Sequence, residues 1–567
     1  MNTLRKTDHQ DCQRARGTFA FLRFSFFTLG FAGLLLATSV GRAAVVVSDI
    51  CVYGGTSGGV VAAVQASRMG KTVALAVFDT QLGGLTSGGL GATDVGNKDS
   101  IGGTAREFYR RIGKHYGQPE RFVFEPHVAS QIYQDWLAET GVKPRFNQRL
   151  AAVKKDGQQQ LTEIAMEDGT IYRAKMFVDA TYEGDLLAMA GVSFTFGREG
   201  TNVYGESLNG IRASTPKHQF ALNLDPYLVP GKPASGLLPF IQAGDGGIPG
   251  DGDQRIQAFN FRLCFTRNPT NRLPNLVPAS YDPQQFELLG RLLDASTAAG
   301  AKLTIQSFFN ITPMPNGKTD MNNNGPFSTD FIGEDWTYPT NSSAARELMA
   351  RQHLEYIQGL VHYLATSQRS PKNLRDEMSS WGPCKDEWPE TGGYSSQIYV
   401  REARRMVSDY VMTQADCEGR RLAADSICLG SYNMDSHNCQ RVVQNGFVRN
   451  EGDVQVKVPE PYPISYRSII PRQGECKNLL VPFAISASHI AFGSTRMEPV
   501  FMMAAQTAAT AAAQAIDEQA PVQQVNYSKL ARRLTADGQI LAWTVPAKSA
   551  SSQTSAATHT NNNFPTP

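Results

Sequence analysis

From Asp49 the chain reads DICVYGGTSGGVVAAVQASRMGKTVALAVFD. A short apolar run leads into a glycine turn, then a segment with helical apolar spacing that Gly70 ends, then a second apolar run opening at Val73. Continuous apolar runs on either side of a helical period predict a strand, a helix and a parallel strand, a βαβ unit. A charged, mixed stretch follows, with a helix predicted over Pro126 to Leu137. Short alternating strands are then predicted from Val142 to Asp179, divided by turns at Asp156-Gly157 and Asp168-Gly169.

From about residue 195 to 460 the pattern breaks into Pro, Asn and Trp clusters, including Pro313-Met314-Pro315-Asn316-Gly317 and Asn322-Asn323-Asn324-Gly325. Helical stretches are expected there near Ala345 to Ala365 and Ser396 to Met412. Long apolar periodicity returns from Asn478 to Ala515, where Thr495-Arg496-Met497-Glu498 fits a capping box opening a helix that runs to about Ala515. The last twenty residues, rich in Ser, Thr, Ala, Asn and Pro, predict disorder, and no internal repeat is visible. A length of 567 residues exceeds one compact core, so two or three domains are expected.

The N-terminus adds a compartment. Arg14, Arg16 and Arg23 precede an apolar stretch, Phe24 to Ala37, followed by small residues around Gly41-Arg42-Ala43-Ala44. That is a signal-peptide pattern with cleavage after Ala43; the run is shorter than the roughly 20 residues of a membrane span. Export, periplasmic or extracellular, is therefore expected, with no stable membrane anchor after cleavage. Charge changes little: 54 Lys and Arg against 52 Asp and Glu leave +2, far from the basic stripe of a nucleic-acid binder. Loss of Cys12 with the leader leaves Cys51, Cys264, Cys384, Cys417, Cys428, Cys439 and Cys476. An odd number leaves at least one free thiol, and the absence of any CxxC argues against zinc, thioredoxin-type and iron–sulfur sites. The regular spacing of Cys417, Cys428 and Cys439 is compatible with one disulfide.

Candidate chemistry begins at the glycine turn. A dinucleotide pyrophosphate needs backbone amides at a helix N-terminus with no side chain in the way. Gly54, Gly55, Thr56, Ser57, Gly58 and Gly59 occupy that turn; Gly54 and Gly59 fill the outer positions of GxGxxG while Thr56 stands where the middle glycine belongs. Asp79, ending the second apolar run, is the acidic candidate for ribose hydroxyls, and it equally opens the loop toward Gly83 and Gly84. Asp179 and Asp185 flank a strand end where doubly wound sheets place ligands; for Asp185 a helix N-cap role is as good a reading. For acid–base work the candidates are His437, with Asp435 able to orient it, and His489, each weighed against a structural role. Tyr466 and Arg467 either meet substrate or brace a strand.

The stretches VYGGTSGGVVAA, LGGLTSGGLGATD, VDATYEGDLLAMAGV, GREG, GSYNMDSHNCQR and SYRSIIPRQGECKNLLVPFAISASHIAFGSTRMEPVFMMAAQTAATAAA resemble the bacterial FAD-dependent oxidoreductases often found with exported carbohydrate-utilisation proteins. The resemblance covers most of the chain beyond the leader. It implies a glutathione-reductase-like α/β fold: a doubly wound, Rossmann-like FAD/NAD(P)-binding domain with an inserted α+β substrate or cap domain. It implies the LGG loop, with Gly83, Gly84, Gly88 and Gly89, beside the flavin, and Arg496, Met497 and Glu498 in the cofactor-proximal segment, where a helix N-terminus would favour the anionic reduced ring. The family's usual acidic residue five places before the Leu of LGG is here Val77. The expected organisation is signal peptide 1–43, FAD-binding segments 44–195 and 461–520, cap 196–460, C-terminal helical extension 521–547 and disordered tail 548–567. The expected function is non-covalent FAD accepting hydride from a small substrate, a sugar or polyol by family association, with an electron acceptor that no motif identifies. Alternatives are an electron-transfer flavoprotein related to iron–sulfur reductases, and a secreted binding or scaffold protein that has lost FAD. No second GxGxxG follows a strand, so an NAD(P)H site is not indicated.

Overall fold

A computed structural model describes residues 44–544; the expected leader and the expected disordered tail lie outside the described residues. The predicted βαβ unit is present: β1 (Val45–Tyr53) and β2 (Val73–Ala76) run parallel, Ile50 opposite Val73 and Tyr53 opposite Ala76, with α1 (Ser57–Arg68) between them. The apolar run of β1 is unbroken because both its faces are covered. Ile50 and Val52 enter the helix-facing core, while Cys51 and Tyr53 enter a second core on the other side of the sheet. Burying such a side chain stabilises the fold by about 1.5–3 kcal/mol.

Two helices follow, α2 (Gly103–His115) and α3 (Pro126–Thr140); α3 has Pro in its first turn and runs three residues beyond the predicted end to a C-cap at Gly141, φ +71°. β3 (Pro144–Arg145) joins β2 in parallel, and β4 (Leu150–Lys155), β5 (Leu161–Met166) and β6 (Ile171–Asp179) complete the meander. The sheet order is β3-β2-β1-β6-β5-β4, with β6 parallel to β1 and antiparallel to β5. The far edge of β6 is shared. Its first residues pair with β5, and Phe177 and Val178 pair in parallel with Leu479 and Leu480, from the other end of the chain. The helix Glu498–Glu518 then packs along α1, with Gln65 Nε2 donating to Thr510 Oγ1 at 3.1 Å. This is a Rossmann-like core assembled from both ends of the sequence.

Between them lies a four-stranded antiparallel sheet in the order Gly382–Pro383, Leu263–Thr266, Lys318–Asn323, Phe309–Pro313, together with the 24-residue helix Ser343–Thr366. A short helix, Tyr527–Ala536, ends the described fold.

Three expectations are corrected. Ser396–Met412 is not helical: it is extended and irregular apart from a two-residue strand, Arg405–Met406, because its side chains are spent on separate partners, Arg405 on Gly197 O and Glu199, Arg404 on Asp185. Thr495 and Glu498 do not form a capping box. Thr495 ends a preceding helix, His489–Thr495, and donates to Phe492 O, while Met497 is the N-cap of the long helix and the Glu498 side chain points elsewhere. Cys417, Cys428 and Cys439 are each buried and free.

Candidate functional site

At the carboxyl edge of the parallel strands the chain leaves β1 toward β2 on one side while β6 lies on the other, the switch point at which open α/β sheets hold ligands. The turn after β1 is crowded. A Cβ on Gly54 (φ +115°) would stand 2.5 Å from Ala180 O, and one on Gly59 would stand 2.0 Å from Gly54 O, so the outer glycines are required by the strand–helix junction. Thr56, in place of the middle glycine, turns its hydroxyl back into that junction, donating to Ala180 O (2.8 Å) and accepting from Gly59 N (3.1 Å) as the N-cap of α1. The threonine therefore does not stand across the helix N-terminus, and the first turn of α1 keeps the amide character that suits a pyrophosphate. Gly55 carries no side chain because Val77 fills the space, a Cβ meeting Val77 Cγ1 at 2.4 Å. Val77 thus belongs to packing, and Asp79, two residues on, faces the opening.

A cavity of 530 Å³ lies over this edge. Tyr53, Asp79, Thr181, Glu183 and Asp185 line it from the sheet, Arg149 from the meander, and Phe261, Tyr338, Arg346, Gln397 and Ile398 from the cap. A narrow second pocket shares Phe78, Asp79 and Gln397 with it and reaches Gly55, Thr56 and Gly84. Asp79 Oδ1 accepts from Thr80 N at 2.7 Å, so this residue both opens its loop and lines both pockets. An acidic side chain and a glycine-flanked helix N-terminus at the switch point are the groups that hold the ribose and pyrophosphate of a dinucleotide.

The LGG loop is tied to the turn, Gly83 N donating to Gly55 O at 2.7 Å; Gly83 and Gly84 have φ of +95° and +53°. Gly88 and Gly89 lie against Gln397 and Arg262 of the cap. Behind the loop sits Glu498, 3% exposed, accepting from Thr86 Oγ1 (2.6 Å), Tyr182 Oη (2.7 Å) and Ser57 Oγ. One carboxylate thereby joins α1, the LGG loop, the turn after β6 and the long C-terminal helix. Burial raises its pKa even so, against the three hydroxyls that favour the ionised form.

Asp179 and Asp185 divide their roles differently from the sequence reading. Asp179, fully buried, accepts from Thr181 N, Thr181 Oγ1 and Leu187 N, closing the turn and capping α4 (Asp185–Met189). Desolvation raises its pKa to about 6. Asp185 is not the N-cap, a place taken by Gly184 at φ +67°; it receives Arg346 at 2.7 and 3.0 Å and Arg404 at 2.7 Å, and faces the cavity. Tyr466 donates to Val522 O and Arg467 pairs with Asp425, so both brace the fold.

The two histidines separate. His489, 1% exposed, has Nδ1 2.8 Å from Glu402 and Nε2 3.0 Å from Ser436 Oγ, both nitrogens held. His437 has Nδ1 2.8 Å from Asp330 Oδ2 but Nε2 3.5 Å from Asp435 Oδ2, too far for a tight bond. Asp330 is in turn paired with Arg401 at 2.9 Å, and Asp435 with Arg496 at 2.8 Å. Burial and Arg401 oppose protonation of His437; the charges and hydrogen bonds of Asp330 and Asp435 outweigh them and raise its pKa. Nearby carboxylates are pushed apart: burial acts to raise both, but His437 and Arg496 hold Asp435 down to about 2, whereas Asp453 climbs to about 7. Arg496 also donates to Tyr399 Oη at 3.1 Å, and Asp94 receives Tyr432 and Tyr399 at 3.3 and 3.5 Å. Phe261 and Ile398, which line the cavity, are the chain neighbours of Arg262 and Tyr399. Asp330, Arg401, Tyr399, Asp94 and Asp453 were not singled out from sequence: Asp94 closes the quoted LGGLTSGGLGATD stretch without being marked by it, Tyr399 and Arg401 lie in the segment misread as a helix, and no motif marks Asp330 or Asp453.

A comparison with curated proteins finds no match. Among solved structures the chain is similar in part to AlpK, 12% identical over 48% of this chain and 43% of that one with TM-score 0.24. It is similar to the thioredoxin reductase of T. acidophilum, 22% identical over 24% and 34% with TM-score 0.17. It is similar also to 3-ketosteroid-delta4-(5alpha)-dehydrogenase of Rhodococcus jostii RHA1, 12% identical over 28% and 50% with TM-score 0.19. The likeness thus spans half or less of each of these chains. Residues 49–534 match the family described as FAD dependent oxidoreductase, and with a switch-point cavity suited to a dinucleotide the chain belongs to this family of flavoenzymes, with FAD as its cofactor.

Proposed function

We propose that the protein is exported and oxidises an alcohol carbon of a small polyhydroxylated substrate, a sugar or polyol, with His437 as general base. The observation that carries this reading is the unequal grip on the His437 ring: Nδ1 is fixed by Asp330 at 2.8 Å while Nε2 stands 3.5 Å from Asp435. FAD, when bound, supplies the two-electron acceptor. Asp79 and the first turn of α1 hold its ribose and pyrophosphate, with Gly83, Gly84 and the segment Arg496, Met497 and Glu498 on the flavin side. His437 Nε2 takes the hydroxyl proton as the hydride leaves the adjoining carbon, and the substrate departs as a carbonyl compound. Arg496 and Asp435 hold the ring's surroundings in place, and the hydroxyl and carboxylate groups of Tyr399, Tyr432 and Asp94 favour a hydroxyl-rich ligand. Export rests on the basic, apolar and small-residue pattern of the first 44 residues. Electrons pass onward to an acceptor separate from this chain.

The test begins with flavin bands that survive gel filtration, followed by anaerobic bleaching with a panel of sugars and polyols. His437→Asn is expected to keep the flavin and lose bleaching rate by about 10²–10⁴-fold. A variant that bleaches as fast as the parent would remove His437 from the chemistry; a protein that retains no FAD would remove the whole reading.

A further inference from the structure

We infer that Cys264 and Cys384 are joined by a disulfide that staples the cap sheet beside the LGG loop. Strand Leu263–Thr266 pairs antiparallel with Gly382–Pro383, Thr266 opposite Gly382 and Phe265 opposite Pro383. The next pair in that register is Cys264 and Cys384, and Cys384 N donates to Cys264 O at 3.1 Å. Their sulfurs, unbonded in this structure, face one another at 3.7 Å, whereas Cys417, Cys428 and Cys439 have no sulfur placed against them in this way among the described residues. Residues opposed in a hydrogen-bonded antiparallel pair have Cα atoms about 5.5 Å apart, within the span a disulfide bridges without backbone movement. Both side chains are fully buried in a small apolar cluster with Met314 and Trp388; Glu387 and Lys318 act on Cys264 in opposite directions, and burial together with the neighbouring sulfur keeps its proton on, so it is not poised as a nucleophile.

The bond has a consequence for the site. Arg262, two residues before Cys264, forks onto Asp320 at 2.8 and 2.6 Å and stands against Gly89, where a Cβ would lie 2.9 Å from the Arg262 backbone oxygen. A staple at Cys264 fixes the strand that bears on the loop. In forming it each sulfur loses its proton, the pair gives up two electrons to make the S–S bond, and a small-molecule disulfide such as oxidised glutathione is reduced to two thiols. The exchange takes place during folding, before the cap closes over the sulfurs.

The experiment is a thiol count by intact mass on full-length protein made in an oxidising compartment, purified without reductant and denatured in excess maleimide. The expected result is two fewer adducts than after reduction, with a proteolytic peptide pair linking Cys264 to Cys384. Cys439→Ser, a buried thiol outside the pair, leaves that deficit unchanged, and Cys264→Ser abolishes it. Because the count is read on denatured chains, it stands whether or not the variants fold. Full labelling before reduction, or a link joining any other cysteines, overturns the assignment.

Discussion

At the scale of single residues the ionisable groups give the sharpest expectations. His437 holds its proton above the ordinary value of 6.5, so its basic form is reached only as pH rises through that higher pKa. On the proposed chemistry, kcat/KM climbs through a limb that lies above 6.5, and a pH–rate series reads it directly. Asp330→Asn takes away a negative charge against the ring, so the limb moves to lower pH; a limb that stays put would separate Asp330 from His437. Asp179 also holds its proton more tightly than usual, and here the readout is stability. Its pKa rises to about 6 on folding from 3.8, so between those values the folded chain keeps a proton that the unfolded chain has released. Stability therefore falls as pH increases from about 4 to 6, by roughly 3 kcal/mol from this group. Urea unfolding at the two pH values should show that slope in the parent and a flattened one in Asp179→Asn.

Individual elements show where local signals sufficed and where they failed. β1, α1 and β2 were legible because period and punctuation agree there: apolar run, glycines, helical spacing, Gly70. The helix Ser343–Thr366 was legible for the same reason. Ser396–Met412 was not, since spacing alone cannot reveal that Arg404 and Arg405 are committed to distant carboxylates. The break at Arg496–Met497 was missed because Thr495 and Glu498 satisfy a capping spacing that the tertiary partners of Glu498 override. The glycine junction yields a prediction of its own. Gly59→Ala places a methyl 2.0 Å from Gly54 O, a backbone atom that cannot step aside, and should cost about 1–3 kcal/mol or more with loss of retained flavin, read by thermal melting and absorbance. Glu498→Ala leaves the hydroxyls of Ser57, Thr86 and Tyr182 without their acceptor, and a loss of at least about 3 kcal/mol is expected in the unfolding free energy read by urea titration.

For the whole molecule the decisive contacts are those that join distant parts of the chain. Sequence periodicity located the apolar stretch after Asn478 but could not say that Leu479 and Leu480 lie beside Phe177 and Val178, because parallel pairing leaves no local mark. The His437 site is likewise built from Asp330, Arg401, Asp435 and Arg496, residues brought together only by the finished fold. The strand, glycine turn and helix at Tyr53–Ser57, by contrast, are local, and that geometry was readable nearly residue by residue. The shared edge of β6 also sets an order of events during synthesis. While the insertion is being made, the outer edge of the C-terminal half of β6 and the face of α1 that meets the long C-terminal helix lack those partners, and at ordinary rates of translation that interval is on the order of tens of seconds. An apolar sheet edge left open for so long invites pairing with other chains. The sheet edge and the α1 face that complete the Rossmann-like core are therefore closed only once Leu479 and the final long helix have been made.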